Sequence, residues 1–183
     1  YTVDEHTIQT IGHLAAIERG ELVEELPVAS AILESGLNRK VLYIALLLHD
    51  IGKGQIENHS VLGAKIAREV CPRLGLKPHE SETVEWLVRH HLLMSDMAQK
   101  RDIADPRTVR DFAKLVQSVK RLDLLTVLTV CDISGVGPGV WNNWKAVLIR
   151  ALYRQTKKAL ETGLEDLNRE SRGSEAKKNL RMA

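Results

Sequence analysis

Residues 40–54 read KVLYIALLLHDIGKG, an almost wholly apolar run that ends in His49 and Asp50 and is interrupted by Gly52 and Gly54. Such a run predicts a helix that is buried on all sides. A carboxylate at the end of that helix would be strongly destabilising in the interior unless a positive charge compensated it. The stretch therefore predicts a helical core with a charged or metal-binding group where this helix ends.

The rest of the 183-residue chain has the same helical character. Aromatic residues make up only 4% of it, and Leu, Ala, Glu, Lys and Arg fill most segments between Gly and Pro residues. These are strong helix formers, and strand-like alternation is hard to find, so we predict an all-α helical bundle. Besides residues 40–50, we predict helices at 3–19, 60–74, 79–91, 106–132 and 140–161, and a looser stretch at 21–38.

The chain is predicted to form one domain, residues 1–163, followed by a polar tail, residues 164–183, that is flexible or a frayed helix. The 26 Lys and Arg residues almost balance the 24 Asp and Glu residues. This balance favours neither a nucleic-acid partner nor a membrane partner, since both need a local excess of basic residues. No apolar run approaches the roughly 20 residues of a transmembrane helix, and we expect a soluble, cytoplasmic protein.

A second acid raises the same problem of burial as Asp50. Asp132 follows Leu125 and Leu128 at helical spacing and so lies on the core face of its helix. Two buried acids suggest a shared cation, and imidazole with carboxylate ligands suits a divalent metal in a catalytic rather than a structural site. A single histidine is more often an ordinary core or surface group, so the prediction depends on the ordered set. Its candidate imidazoles are His6, His49, His59, His90 and His91.

The order His6, His49-Asp50 and Asp132 resembles the HD superfamily of metal-dependent phosphohydrolases, and His59 with His90-His91 resembles its two-metal members. Three stretches narrow the resemblance to the HD domain of the bifunctional PII uridylyltransferase/uridylyl-removing family. They are YTVDEH at residues 1–6, LLHDIGKG at 47–54 and VGPGVWN at 136–142.

This resemblance implies an enzyme that uses water to hydrolyse the phosphodiester between UMP and a tyrosine of the PII nitrogen-signalling protein. In the parent chain, a nucleotidyltransferase domain and glutamine-sensing ACT domains would flank it. Asp50 and Lys53 would be the catalytic residues. One or two divalent ions are implied, and the residues do not distinguish Mn, Mg, Fe or Zn. The first ion would be held by His6, His49, Asp50 and Asp132, and a second by Asp50, His59 and His90, with His91 among the ligands of that second ion or beside them.

Two other functions stay open from the sequence: a generic HD nucleotidase or phosphodiesterase for small nucleotides, and a non-catalytic regulatory helical module. Residues 136–142 favour uridylyl removal over the generic nucleotidase or phosphodiesterase. The complete ligand set argues against the non-catalytic module. His13 lies on the same helix face as His6 and competes with it as a ligand, whereas His79 is expected to cap a helix or lie on the surface. We also place Trp141 and Trp144 on one helix face, in core packing or against a neighbouring domain.

Overall fold

The computed structural model describes residues 2–54, 58–137 and 139–182, and these residues form nine α-helices and no strand, which confirms the all-α prediction. Tyr1 and Pro138, which belong to two of the stretches quoted above, and Ala183 lie outside the described residues. In chain order the helices are α1 Val3–Glu18, α2 Pro27–Glu34, α3 Arg39–Leu48, α4 His59–Arg73, α5 Pro78–Arg89, α6 Leu93–Lys100, α7 Pro106–Val116, α8 Val119–Ser134 and α9 Asn143–Met182.

The apolar helix α3 packs against the core on one side. It contacts α1, α5 and α8, and the side chains of Leu42, Ala45 and Leu46 are completely buried there. The prediction that it is buried on all sides is wrong, because Leu47 is 49% exposed and Tyr43 is only half-buried. Helix α3 therefore lies at the edge of the core with one side open to solvent.

Two short helices, α2 and α6, occupy stretches where no helix was predicted, and the predicted helix at residues 106–132 is divided into α7 and α8. The division occurs at Gln117, whose backbone has a positive φ of 72°. Ser118 then starts α8, since its side chain accepts a hydrogen bond from the backbone N–H of Arg121. The positive φ at Gln117 and this capping hydrogen bond separate two helices whose residues share one apolar pattern.

The last helix, α9, begins later and ends further along the chain than predicted, so residue 163 lies inside it. Trp141 precedes α9 and packs against the core, while Trp144 is on its first turn and is 62% exposed. The two indole rings therefore do not share a helix face, contrary to the prediction. Within the part of the chain that the structure describes, no helix is both long and apolar enough to cross a membrane.

Candidate metal centre

Four side chains from two helices and from the end of a third converge in the core. The Nε2 atom of His6 lies 2.7 Å from Oδ1 of Asp132, and Nε2 of His49 lies 3.2 Å from the same oxygen. Asp50 completes the group, with Oδ2 at 3.3 Å from Nε2 of His49 and 3.6 Å from Nε2 of His6. His6, His49 and Asp50 are at most 4% exposed and Asp132 is 16% exposed. We call this set the first group.

A second group shares Asp50 with the first. Oδ1 of Asp50 lies 3.6 Å from Nε2 of His91 and 3.9 Å from Nε2 of His59. His91 is buried, whereas the side chain of His59 is 27% exposed. The two carboxylate oxygens of Asp50 thus face different sets of imidazoles, which is the arrangement of a carboxylate that can bridge two cations.

The ligand candidates lie mainly at helix ends. His49 caps the C-terminus of α3, and Asp50 follows it. His91 comes two residues after the end of α5, and Asp132 is in the last turn of α8. His59 is the first residue of α4. Because α1, α5 and α8 pack against α3, and α1 also packs against α8, residues that are up to 126 positions apart meet in one site, as in the pair His6 and Asp132.

Backbone carbonyl groups fix the orientation of three of the rings. Nδ1 of His49 lies 2.6 Å from the carbonyl oxygen of Leu46, and Nδ1 of His91 lies 2.7 Å from that of Val88. Nδ1 of His6 contacts the carbonyl oxygen of Gly135 at 3.2 Å. A carbonyl oxygen only accepts hydrogen bonds, so each Nδ1 donates one, and in the neutral ring Nε2 carries a lone pair.

The Nε2 lone pairs therefore point at carboxylate oxygens, which also only accept hydrogen bonds. Two acceptors at these distances need a proton or a metal cation between them. Imidazole Nε2 with carboxylate oxygen is a donor set suited to divalent metals, and histidines that bind metals usually donate their other ring N–H to an oxygen, as these Nδ1 atoms do. The residues thus fit a metal ion, and both groups could hold one.

Electrostatics show how strongly the carboxylates attract positive charge. Burial opposes the ionisation of Asp50 and Asp132, but hydrogen bonds from the imidazoles outweigh it and hold the pKa of each carboxyl well below its usual range. Burial also opposes a charge on His49, yet the bonds to Asp132 and Asp50 raise its pKa to about 10. A metal cation can therefore take the place of the proton between these imidazoles and carboxylates, because it neutralises the same negative charges.

Two glycines let backbone segments approach closely enough to build the centre. A Cβ atom on Gly52 would lie 2.5 Å from the carbonyl oxygen of His59, and one on Gly135 would lie 2.6 Å from Cγ2 of Thr10. Because Gly52 has no side chain, the loop after Asp50 can contact the start of α4, and Gly135 likewise allows the end of α8 to contact α1. Sequence analysis treated Gly52 only as a helix breaker and gave Gly135 no role. Their position beside predicted ligands was the signal that it missed.

Lys53 lies at the exposed edge of the centre. Its Nζ atom is 3.4 Å from Oδ2 of Asp50, and its side chain is 44% exposed. His90 lies apart from both groups of described residues, because its ring packs on Trp86 with ring centroids 5.0 Å apart. Burial, Arg89 and Arg121 lower the pKa of His90. The structure therefore brings His91, and not its neighbour, to Asp50.

The two remaining histidines also lie outside both groups. His13 lies within hydrogen-bond distance of the carbonyl oxygen of Ser134, with Nε2 at 3.0 Å. His79 is exposed on the first turn of α5, in agreement with the sequence-based expectation of a surface position.

Residues 3–128 match the protein family that is described as HD domain. The chain belongs to the HD domain family. The match includes His6, His49-Asp50, His59 and His91, and the structure adds Asp132, which lies beyond the matched range, to the same cluster.

Curated relatives carry the name bifunctional uridylyltransferase/uridylyl-removing enzyme. The protein from Ruegeria pomeroyi is 76% identical over 183 residues, all of this chain and 20% of its own length. The protein from Cereibacter sphaeroides is 73% identical over 181 residues, 99% of this chain and 20% of its own. The protein from Azospirillum brasilense is 56% identical over 164 residues, 90% of this chain and 18% of its own. This HD domain thus spans about a fifth of the relatives' length, and the family resemblance inferred from its motifs is confirmed.

Proposed function

We propose that this HD domain removes UMP from the uridylylated tyrosine of a PII-type signal protein by metal-dependent hydrolysis. The observation that carries the proposal is the centre itself, in which three oriented imidazoles face the buried carboxylate of Asp50 and the partly buried one of Asp132. The choice of reaction is supported by relatives of 73–76% identity whose name includes uridylyl removal. Cytoplasmic location, a PII substrate, and flanking nucleotidyltransferase and ACT domains in a longer chain are parts of the same proposal.

In this proposal, His6, His49, Asp50 and Asp132 hold one divalent ion, and Asp50, His59 and His91 hold a second. His90, named as a ligand by family resemblance, would instead support the wall behind His91. Such ions would lower the pKa of a water molecule and neutralise charge on the phosphoryl oxygens. Nothing in the donor set selects among Mn, Mg, Fe and Zn.

The chain's own residues have distinct parts in the reaction. The carbonyl-bound rings of His49 and His91 are held rigidly, so the centre needs little reorganisation when the phosphodiester binds. Asp132, His59 and Lys53 are its more exposed members, so the substrate approaches from their side. The Lys53 ammonium group is placed to pair with a phosphate oxygen. The leaving group is a tyrosine phenolate, whose pKa of about 10 makes it a tolerable leaving group.

The test uses the 183-residue chain with Mn(II) and a uridylylated PII protein, and measures released UMP. Asp50→Asn keeps the shape of the side chain and removes the charge shared by both groups, so UMP release should fall by at least about a hundredfold. Asp96→Asn is the matched control, because Asp96 is an exposed acid on α6. Release should be unchanged in that variant.

Three results would contradict the proposal. Equal release by Asp50→Asn and the unmodified chain would separate the reaction from the metal centre. Hydrolysis of small nucleotide diesters without any release from the protein substrate would favour a generic HD phosphodiesterase. Absence of bound metal together with absence of any hydrolysis would favour a regulatory helical module.

A further inference from the structure

A cavity of about 480 Å³ lies beside the first group. One wall is a face of α1 that carries Glu5, His6, Gln9 and His13, and the opposite wall is the turn at residues 134–137. That turn includes the first residues of the VGPGVWN stretch, which contributes no side chain to the two groups of the metal centre. The volume of the cavity lies within the range of small-molecule binding sites, roughly 300–1,000 Å³.

The cavity and the metal centre share the ring of His6. Its Nδ1 atom contacts the carbonyl oxygen of Gly135, in the cavity wall, and its Nε2 atom faces Asp132. A group bound in the cavity is therefore separated from the carboxylates of the centre by one imidazole ring. The cavity and the centre are thus adjacent, as two subsites for parts of one substrate must be.

The lining of the cavity excludes the phosphate itself. None of the residues lining it is Lys or Arg, and the carboxylate of Glu5 would repel an anion. The lining instead favours a neutral ligand with hydrogen-bonding edges, since Gln9 offers an amide that both donates and accepts. A nucleobase fits this description. A tyrosine phenol on a folded protein has only one polar atom to offer.

His13 provides an acceptor of defined orientation. Because a carbonyl oxygen only accepts, Nε2 donates to Ser134, and the neutral ring then carries a lone pair on Nδ1. Burial outweighs the influence of Glu25 and lowers the pKa of His13, so the ring is neutral at neutral pH. Among the described residues no hydrogen bond to Nδ1 is formed, which leaves this acceptor for a ligand.

We infer that this cavity is the nucleobase subsite for the uridylyl group, in which His13 and Gln9 select uracil over cytosine. Uracil presents an N3–H donor between two carbonyl oxygens, so His13 Nδ1 accepts from N3–H while the Gln9 amide donates to a neighbouring carbonyl. Cytosine presents a lone pair at N3, which would face the lone pair of His13. The inference rests on the proposed function and names the part of the substrate that the metal centre does not bind.

The test measures binding of UMP, CMP and ribose 5-phosphate to the Mn(II)-loaded chain by calorimetry. The three ligands carry the same phosphate on the same sugar carbon, so differences report the base. UMP should bind about three- to tenfold more tightly than CMP, the factor that one neutral hydrogen bond supplies. Ribose 5-phosphate should bind more weakly than UMP.

Two variants assign the effect to the cavity. His13→Gln places an amide N–H near the former Nε2, so it keeps the bond to Ser134 and loses the Nδ1 acceptor. Gln9→Ala truncates an exposed side chain on α1. Each should remove most of the preference for UMP over CMP and leave binding of ribose 5-phosphate unchanged. His79→Gln and Gln155→Ala, at exposed positions that do not line the cavity, are the matched controls and should keep the preference.

The inference is overturned if UMP does not bind, if UMP and CMP bind equally, or if the two cavity variants keep the preference. It is also overturned if the variants weaken all three ligands alike, because that result would show a structural effect on the metal centre. Failure of the proposed function gives a different result. In that case uracil is preferred in the binding experiment while the uridylylated protein releases no UMP.

Discussion

At the residue scale, the centre depends on which nitrogen of each imidazole faces the carboxylates. Hydrogen bonds to the carbonyl oxygens of Leu46 and Val88 engage Nδ1 of His49 and His91 and leave Nε2 directed at Asp50. The glycine at position 52 is as important as a ligand here. It lets the loop after Asp50 contact the first turn of α4, on which His59 lies.

Gly52→Ala tests that role. Its Cβ would meet the carbonyl oxygen of His59, so the start of α4 must shift away from Asp50. We expect destabilisation by about 1–3 kcal/mol and loss of metal from the second group with retention in the first. Denaturant unfolding and elemental analysis measure the two effects. Gly12→Ala is the control, since a Cβ there meets nothing and should stabilise α1 by about 0.5–1 kcal/mol. Full metal content in Gly52→Ala would contradict the role.

At the element scale, helix ends decide both the topology and the location of the ligands. The apolar pattern of residues 106–132 continues through a break that only the backbone shows, at Gln117 with its φ of 72°. Ser118 stabilises the start of the next helix by capping α8. Helix α8 then has the direction that carries Asp132 to His6 and His49.

Gln117→Gly should stabilise the protein, because glycine adopts a positive φ without the steric cost that other residues have. We expect a gain of about 0.5–1 kcal/mol in the free energy of unfolding. Gln99→Gly, at an exposed position inside α6, should instead cost about 1 kcal/mol. Urea denaturation of the two variants measures both values. A loss of stability in Gln117→Gly would show that the side-chain bond to Arg121 matters more than the backbone conformation.

Acid should weaken the start of α5 through Glu80. Hydrogen bonds from Asn38 and from the backbone N–H of Lys77 lower the pKa of Glu80 below its ordinary value of 4.5. A lowered pKa in the folded state means that the stabilisation is fully present above that ordinary value and is lost as the pH falls through the folded-state pKa.

Glu80→Gln should therefore flatten the fall in unfolding free energy between about pH 5 and pH 3. Glu82→Gln, which changes an exposed glutamate of the same helix, should leave the fall as it is in the unmodified chain. Chemical denaturation at a series of pH values compares the three proteins. Identical pH profiles for all three would show that Glu80 makes no such contribution.

At the scale of the whole molecule, α1, α3, α4, α5 and α8 each contribute to one centre, directly or through the residues that follow them. Its two carboxylates are largely buried beside imidazole nitrogens, so cations that bind there stabilise the folded protein and not the unfolded chain. The formal net charge of +2 leaves this contribution out.

Metal addition should therefore raise thermal stability. At a free metal concentration about a hundred times the dissociation constant, the gain is about 2.7 kcal/mol, which corresponds to a rise of roughly 5–10 °C in Tm for a chain of this size. Asp132→Asn should lose most of the rise, and the exposed-site variant Asp96→Asn should keep it. Calorimetry with EDTA and with Mn(II) measures the difference. An equal rise in Asp132→Asn would place the stabilising ion elsewhere.

Much of the centre could be predicted from local sequence. His49-Asp50 and Asp132 follow apolar helical segments, and the order of ligands along the chain is visible without a structure. The choice between His90 and His91 was not predictable in this way. Adjacent residues at a helix end point in different directions, and only the bond to Val88 and the packing on Trp86 show which ring faces Asp50.

The sequence by itself determined the helical class, the family and the candidate ligand types, because these depend on composition, local periodicity and short motifs. The tertiary structure alone decided which oxygen of Asp50 faces which imidazoles, and where the cavity beside His6 lies. Such features depend on contacts between distant residues. The carbonyl group of Gly135 orients a ring 129 positions earlier in the chain, and it does so only because a glycine lets the end of α8 approach α1.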